Sequence, residues 1–492
     1  MSRKMTRGIV VTLSLVLLTA LFTVGSATGD SSAPAMSATI KYVYIGQEPT
    51  DQPAVTAALE AALAEDNLNF KLDFVFIPDD EYVNKLVLIV VAGEEYDICW
   101  TMPVNIGDLA DKGGLAPLDE ALSKYGQPLL NALPEASWKE VTFGGKIYGV
   151  PGLLPAASMD MNLQIRKDLR EKYGIPEIVD LEGLETYLRA YHEDVPSGYP
   201  MANESGRILF REYGEIFTPI GKELKSPVCI SLDDPTYTAQ HFYKSDTFLK
   251  TIAKIREWHS EGLYEIDVIK DDHALYAAGQ IGAMWATSTL HERIGYFKAN
   301  RTDPDAMIEN IMLHPDKPKH LFGYGMDNLC VFSTSKYVDE CVAFINWIRG
   351  SQEAYDLMSY GVEGVNYNLD GEGVSYDGIP DDKLFFPQNW MWSDIRFMRF
   401  DGALDASYGD MLRSWDDGCV VYPWTGFTMN REPVNMEITQ IIALQEEYVP
   451  QLKNSKLDFE STYETFLKKL DEAGIEKVIA EVQKQMEEFM AK

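Results

Sequence analysis

The chain has 492 residues, with 43 basic and 76 acidic side chains, and a formal net charge of -33. Its hydrophobic fraction of 46% is that of a globular protein, and its length allows two or three domains with cores of their own. Because so negative a protein repels nucleic acid and anionic membrane surfaces, both are excluded as main partners.

The first residues have the pattern of an export signal. Three basic residues among the first seven precede an apolar run, residues 9–24, and small residues follow it. The run is shorter than the ~20 residues that span a membrane, which favours a cleaved signal peptide over residues 1–27 rather than an anchor. Residues 28–38 form a linker rich in Ser and Ala. We therefore expect an exported protein, extracellular or periplasmic.

Strand and helix patterns alternate after the linker. Residues 39–45, 70–77 and 96–100 alternate as strands do, and residues 53–66 have helical spacing. This alternation predicts an α/β fold with a mostly parallel sheet. Further helices are predicted at residues 166–173, 181–192, 245–261 and 336–349, and at the C-terminus from residue 475.

Signatures of common enzyme chemistry are missing from the sequence. It contains no Walker A motif, no dinucleotide fingerprint, no HExxH and no Gly-x-Ser-x-Gly. A carboxylate pair suited to glycoside hydrolysis arises by chance among 76 acids, so it carries no information. Residues 368–373 resemble a calcium loop only faintly, and a polar hairpin is predicted there. We predict no catalytic residue, no metal site and no cofactor.

Several segments resemble those of extracellular solute-binding proteins of ABC importers. They are AGEEYDICW at 92–100, GLAPL at 114–118, GKIYGVP at 145–151 and AGQIGAM at 278–284. The last third, with YVPQL at 448–452 and FLKKLDEAG at 466–474, resembles the C-terminal domain of the LplA/LipO-like branch, which is associated with oligosaccharide uptake. The resemblance covers nearly the whole chain after the leader.

This resemblance implies a two-lobed periplasmic-binding-protein-like fold of type II, with a hinge and a ligand cleft between the lobes. The N-terminal lobe would comprise residues 39–150 and about 323–385, and the C-terminal lobe residues 151–322 and about 386–492. The implied function is capture of an oligosaccharide or other carbohydrate by hinge closure, and delivery to the permease of an ABC transporter by a monomer. The alternatives are a sensor subunit for a receptor kinase and a secreted carbohydrate-active enzyme.

Two positions depart from the family pattern. Members of the branch usually carry a lipid-bearing cysteine after the leader, whereas residues 24–26 read Val-Gly-Ser and the first cysteine is Cys99. Lipidation through an N-terminal cysteine is therefore not expected, and the mode of retention at the cell surface stays open. Met161 and Leu163 stand where the family tends to carry an aromatic residue, so one sugar platform is expected to be missing.

Aromatic rings with planar polar groups beside them are suited to line a sugar site. In FPQNWMWSDIRF, residues 386–397, we interpret Trp390 and Trp392 as strand residues that share one face, with Arg396 beside them. The alternative is that the rings pack into a core. The resemblance adds Trp285, Trp100, Tyr148, Glu363, Asp327, Asn328 and Trp424 as candidate ligand-binding residues.

Overall fold

The computed structural model describes residues 36–491, apart from residues 159–160, 203–204, 221–223, 268, 270–274, 277, 286–305, 325–326 and 401–405. The predicted signal peptide, residues 1–27, lies outside the described residues. The predicted linker, residues 28–38, is too long at its end, because the first strand already begins at Met36. From that residue onward the chain forms one compact unit.

The first sheet has five strands, in the order Leu68–Ile77, Met36–Ile45, Ile98–Thr101, Asn328–Val331 and Gly149–Pro151. The first three strands are parallel, and the fourth is antiparallel to both of its neighbours. The strands predicted at 39–45, 70–77 and 96–100 are therefore present with shifted ends, and the mostly parallel sheet is confirmed. The strand Asn328–Val331 lies between two strands of the N-terminal region, although it comes from a much later part of the sequence.

Helices cover the sheets, and local chemistry sets their ends. At the helix Asp246–Ser260, Ser245 accepts a hydrogen bond from the amide of Phe248 at 3.1 Å, and Gly262 follows the last turn with φ of 76°. Among the described helices, none is long and apolar enough to cross a membrane. The described α-helices are Gln52–Glu65, Asp79–Ala92, Pro103–Asp111, Asp119–Tyr125, Gln127–Ala132, Glu135–Glu140, Lys167–Lys172, Leu181–Asp194, Phe210–Tyr213, Asp246–Ser260, Val338–Ile348, Gln352–Tyr360, Ala406–Arg413, Asn435–Lys453, Phe459–Glu472 and Ile475–Met490.

The second sheet has four strands, in the order Ile308–Ile311, Leu163–Arg166, Ile281–Trp285 and Tyr199–Ala202. Leu163–Arg166 is antiparallel to both neighbours, and the last two strands are parallel. The helix predicted from residue 166 begins one residue later, at Lys167, because Arg166 ends a fully buried strand. The smaller strands are Thr142–Phe143, Lys146–Ile147, Ile216–Phe217, Val228–Ser231, Ala239–His241, His320–Leu321, Asn368–Asp370, Gly373–Ser375 and Val420–Val421. Among them, the hairpin predicted at 368–373 is present.

Two large hydrophobic cores organise the described chain. The first is built from residues between 38 and 150 and between 329 and 398, and the second from residues between 161 and 313 and between 420 and 486. The prediction that the chain passes from the N-terminal lobe to the C-terminal lobe at about residue 386 is corrected by the composition of the first core. Met391, Trp392 and Met398 are buried in the first core, so the segment up to about residue 400 packs there.

The C-terminal helices pack on the second core. In Ile475–Met490 the apolar stripe expected from the sequence is buried at Ile475, Val478, Val482 and Met486. The helix lies against a short strand of the second core, where the Gln483 side chain accepts a hydrogen bond from the amide of Ala239 at 2.7 Å. The last helix is therefore a docked part of the fold, as predicted.

Candidate ligand-binding site

Four predicted site residues lie at one edge of the first sheet. Trp100 is the third residue of the strand Ile98–Thr101, and Asn328 begins the antiparallel neighbour, opposite Thr101. Asp327 directly precedes Asn328, and its carbonyl accepts a hydrogen bond from the amide of Gly152 at 2.7 Å. In α/β sheets this carboxyl edge of the parallel strands is where ligands bind. Trp390 joins the other three from a separate turn.

Trp100 is held in one orientation by two partners. Its indole Nε1 donates to the Asp327 carboxylate at 3.0 Å, and its backbone amide donates to the Tyr82 hydroxyl at 3.0 Å. Tyr82 is fully buried, so the second partner is part of the first core. The Trp100 ring is itself buried in the first core, so these bonds make it a rigid support for the residues around it.

Trp390 stands edge-on to Trp100. The ring centroids are 4.7 Å apart and the planes meet at 83°. The indole Nε1 of Trp390 donates to the side-chain oxygen of Gln388 at 2.7 Å, and the residue is half-buried. Trp100 is 6% exposed and belongs to the first core, so the half-buried Trp390 is the ring that offers a flat apolar face, with the half-buried carboxylate of Asp327 as a hydrogen-bond acceptor in the same region. We call Trp100, Asp327 and Trp390 the aromatic corner.

The prediction that Trp390 and Trp392 share a face is wrong. Residues Asn389–Trp392 form a 3-10 turn rather than a strand, closed by the amide of Met391 bonding the Gln388 carbonyl at 3.2 Å. Because a 3-10 turn has three residues per turn, side chains two apart point in different directions. Trp392 lies in the first core, 1% exposed, and its Nε1 donates to the hydroxyl of Ser359 at 2.9 Å.

Trp424 is likewise a core residue. It is fully buried in the second core, between Phe217 and Tyr422, with ring centroids 4.5 Å from each and interplanar angles of 17° and 12°. The prediction that Trp424 contacts a ligand is therefore corrected, because its ring is stacked between two other rings inside the core. The sequence did not reveal the stack, because Phe217 and Trp424 come from distant segments.

Trp285 ends its strand in the second sheet and is half-buried. The Ser205 hydroxyl accepts a hydrogen bond from its amide at 3.0 Å, and the Arg207 guanidinium lies 5.7 Å from its ring centroid. It packs against the second core, whereas the aromatic corner belongs to the first. The chain thus carries a tryptophan at a strand end on each core.

The remaining predicted residues lie outside the aromatic corner. Tyr148 is half-buried against the first core, and Glu363 is exposed in the turn after the helix Gln352–Tyr360. The Arg396 guanidinium bonds both oxygens of the buried Asp394, at 2.8 and 2.6 Å. Burial alone would raise the pKa of Asp394, but Arg349 and Arg396 together hold it below its ordinary value. Arg396 therefore serves this internal ion pair.

Two amide side chains lie near the aromatic corner. Gln388 holds Trp390 and lies against Gly46, at the end of the strand Met36–Ile45. Asn389 is 2% exposed, and its side-chain oxygen has no partner among the described atoms, as is also true of the side-chain oxygen of Asn328. Buried amide oxygens normally accept a hydrogen bond, so a buried water suits both. The signal in the sequence was the Gln-Asn pair directly before Trp390.

Among the described residues, no group of three or more His, Cys, Asp or Glu side chains is arranged to hold a metal ion.

Comparison with known proteins decides the family. The family of bacterial extracellular solute-binding proteins matches residues 46–355, and a domain of unknown function, DUF3502, matches residues 423–491. The chain is a bacterial extracellular solute-binding protein. The predicted family is thereby confirmed, and the second match covers the C-terminal segment that resembled the LplA/LipO-like domain.

Three relatives illustrate the similarity of this solute-binding protein. A carbohydrate ABC transporter substrate-binding protein of Streptococcus pneumoniae serotype 4 is 25% identical, with 97% of each chain covered. The polygalacturonan/rhamnogalacturonan-binding protein YtcQ of Bacillus subtilis is 22% identical over 70% of each chain. The crystal structure of the N-glycan transport solute binding protein NgtS of S. pneumoniae superimposes with a TM-score of 0.75 at 22% identity, over 92% of this chain and 99% of that one. The two-lobed fold predicted from the sequence is confirmed.

Proposed function

We propose that this solute-binding protein captures an oligosaccharide and delivers it to the permease of an ABC transporter. The observation that carries the proposal is the aromatic corner, where Trp100 and Trp390 meet edge to face with Asp327 at the carboxyl edge of the first sheet. The relatives support it: one is a carbohydrate ABC transporter substrate-binding protein, and NgtS has been crystallised with Man1GlcNAc and with Man5GlcNAc.

The chemistry of the corner suits a sugar. A pyranose ring has apolar C–H faces and a polar rim, so it is bound by an indole face together with acceptors for its hydroxyl groups. The carboxylate of the half-buried Asp327 is the acceptor on this wall, whereas the side-chain oxygens of Asn328 and Asn389 are buried. An indole also contributes a large contact area at low entropic cost, because only two torsions are fixed.

We propose hinge closure as well, and the location of candidate tryptophans on two different cores supports it. A ligand that contacts both the aromatic corner and Trp285 gains contacts only when the cores approach each other, so it shifts the population toward the closed form. The lobes in this proposal are those expected from the sequence, with residues 386–400 moved to the first lobe. The closed form is the one that the permease would recognise.

The remaining expectations belong to the same proposal. The protein would be exported with its leader, residues 1–27, removed, and without a lipid on an N-terminal cysteine, because the first cysteine is Cys99. It would act as a monomer and without catalytic turnover. Incubation with a bound oligosaccharide should leave the number of reducing ends unchanged over many hours.

A panel of oligosaccharides tests the proposal by thermal unfolding of the purified mature chain. Neutral high-mannose and plant-wall fragments, uronate oligosaccharides and monosaccharides would be compared at equal concentration. A true ligand at a hundredfold excess over Kd adds about 2.7 kcal/mol to the free energy of unfolding, which is a clear rise in Tm. A binder should then show a matching Kd by calorimetry, and the Trp390→Ala variant should weaken it. If no oligosaccharide raises Tm, or if a bound one is cleaved in multiple turnovers, the proposed function is wrong.

A further inference from the structure

The helix Asp79–Ala92 is apolar on its outer side as well as on its inner side. Its inner residues Tyr82, Leu86 and Ile89 are buried in the first core. On the outer side, three exposed valines recur every four residues, and an exposed leucine follows the second of them. Their exposed fractions are 51% for Val83, 39% for Val87, 59% for Leu88 and 75% for Val91. We call these four residues the apolar patch.

Such an outer face is unusual for a surface helix. A helix on a globular protein normally presents charged and polar residues to solvent, and residues four apart on it are direct neighbours. Val83, Val87 and Val91 therefore form a continuous stripe, with Leu88 beside it. Single exposed apolar residues need no explanation, whereas a cluster marks a surface that binds something.

The charges around the apolar patch indicate what covers it. Asp79, Asp80 and Glu81 form an exposed acidic rim at the start of the helix, and Lys85 is the one basic residue within it, whereas Glu95 after its end is paired with Lys336 at 2.8 Å. A second copy of the chain would bring the same acidic rim against this one. An anionic membrane would face a protein of net charge -33. The acidic rim would repel a second copy of the chain as well as an anionic membrane. It therefore favours a different protein, whose docking surface has an apolar centre bordered by Lys and Arg.

The helix is also joined to the candidate ligand site. Tyr82, on its inner face, accepts the hydrogen bond from the amide of Trp100 at 3.0 Å, and it lies within 3.1 Å of the Trp100 carbonyl oxygen. The outer surface of the helix is thus one buried residue away from the aromatic corner. A partner seated on the apolar patch would contact an element that directly supports the binding wall.

We propose that the apolar patch is the surface by which this lobe docks on the membrane subunits of its transporter. The inference rests on the proposed function and adds to it the place and the chemistry of the contact. The partner surface is an apolar contact bordered by basic side chains. Because the rim contribution is electrostatic, docking should weaken as the salt concentration rises.

The test compares two exposed valines. Val87 in the apolar patch and Val179 elsewhere on the surface are 39% and 40% exposed, and each is replaced by Glu. Both purified variants should keep the parent Kd for the oligosaccharide and nearly the parent Tm, since neither side chain is buried. In cells of the source organism that carry the variant in place of the parent chain, uptake of the fluorescently labelled oligosaccharide is measured. We expect Val87→Glu to reduce uptake about tenfold or more, and Val179→Glu to leave it unchanged.

A photo-cross-linking residue at position 87 identifies what touches the patch in the same cells. A cross-link to an integral membrane subunit supports the proposal, whereas a cross-link to a second copy, to the chain itself or to lipid overturns it. Normal uptake by Val87→Glu with normal ligand affinity also overturns it and leaves the proposed function standing. Failure of the purified parent to bind any oligosaccharide would instead refute the proposed function, so the two failures can be told apart.

Discussion

The indole Nε1 of Trp100 donates to the carboxylate of Asp327 across 3.0 Å, although the two residues are 227 positions apart in the chain. The bond joins the carboxyl end of a parallel strand to the start of its antiparallel neighbour, where the chain returns to the first sheet. It fixes the ring that Trp390 meets edge-on. The topology of the fold therefore forms the candidate site, because its residues come from distant parts of the sequence.

Replacement of Asp327 should weaken ligand binding more than it weakens the fold. If a sugar hydroxyl donates to this carboxylate, Asp327→Ala should cost about 1.5–3 kcal/mol of affinity, roughly 10- to 150-fold in Kd. Asp327→Asn keeps an acceptor for the Trp100 indole but loses the charge, so its Kd should fall between those of the parent and the alanine variant. Calorimetric titration measures both variants. An unchanged Kd in Asp327→Ala would remove Asp327 from the site.

The two tryptophans of the 3-10 turn should respond in opposite ways. Trp390 is half-buried at the aromatic corner, so Trp390→Ala should cost ~1–3 kcal/mol of affinity and little stability. Trp392 is 1% exposed in the first core, so Trp392→Ala should lower the free energy of unfolding by about 3–5 kcal/mol. Titration and urea unfolding of both variants separate the two effects.

Trp392→Phe is the control for that pair. It keeps an aromatic ring in the core and removes the hydrogen bond to Ser359, so its loss of stability should be smaller than that of Trp392→Ala. Should Trp390→Ala instead melt far below the parent while it binds normally, Trp390 is a core residue and Trp285 becomes the better anchor for the ligand.

The sequence predicts the fold better than the site for a physical reason. Strand and helix periods, together with the residues that end a helix, act over a few positions, and the helices predicted at 53–66 and 245–261 lie close to their observed bounds. The family segments then implied two lobes. By contrast, whether a tryptophan is core or surface depends on what distant residues cover it. Trp424 is enclosed by Phe217, and Trp392 is held by Ser359, and neither partner is visible from local sequence.

Histidine 241 should make the stability depend on pH. It is 8% exposed, and neither ring nitrogen has a partner among the described atoms. Burial, with a smaller contribution from Lys244, lowers the pKa of His241 to about 4. The folded state therefore keeps the ring neutral, while the unfolded chain takes up a proton below about pH 6.5.

The sign of this effect follows from the uptake of that proton. Between about pH 6.5 and about pH 4 only the unfolded state binds this proton. The contribution of neutral His241 to the free energy of unfolding is therefore fully present above this range, and it is lost as the pH falls through it, by about 3 kcal/mol in total. His241→Phe removes the titrating group and should flatten this part of the profile. Urea unfolding of parent and variant at about pH 7 and about pH 4.5 measures the difference. Equal losses for both proteins would show that His241 does not titrate in this range.

Gly152 should be required for the shape of the candidate site. A side-chain Cβ at this position would lie 3.2 Å from the carbonyl oxygen of Asp327 and 3.5 Å from that of Ser393. The backbone of Gly152→Ala must therefore shift against Asp327, at an overpacking cost of about 1–3 kcal/mol. We expect the Kd for the oligosaccharide to rise, since Asp327 carries the acceptor of the aromatic corner.

Gly93→Ala is the matched control for this last change. Gly93 has φ of 64° after the helix Asp79–Ala92, and a Cβ there meets nothing within 4 Å. Alanine is strained at that φ, so the variant should lose stability without losing affinity. Calorimetry and thermal melts of both variants decide the matter. Gly152→Ala could instead lose only stability, as Gly93→Ala should. In that case the close contact between Gly152 and Asp327 stabilises the fold, and it is not needed to position Asp327 for ligand binding.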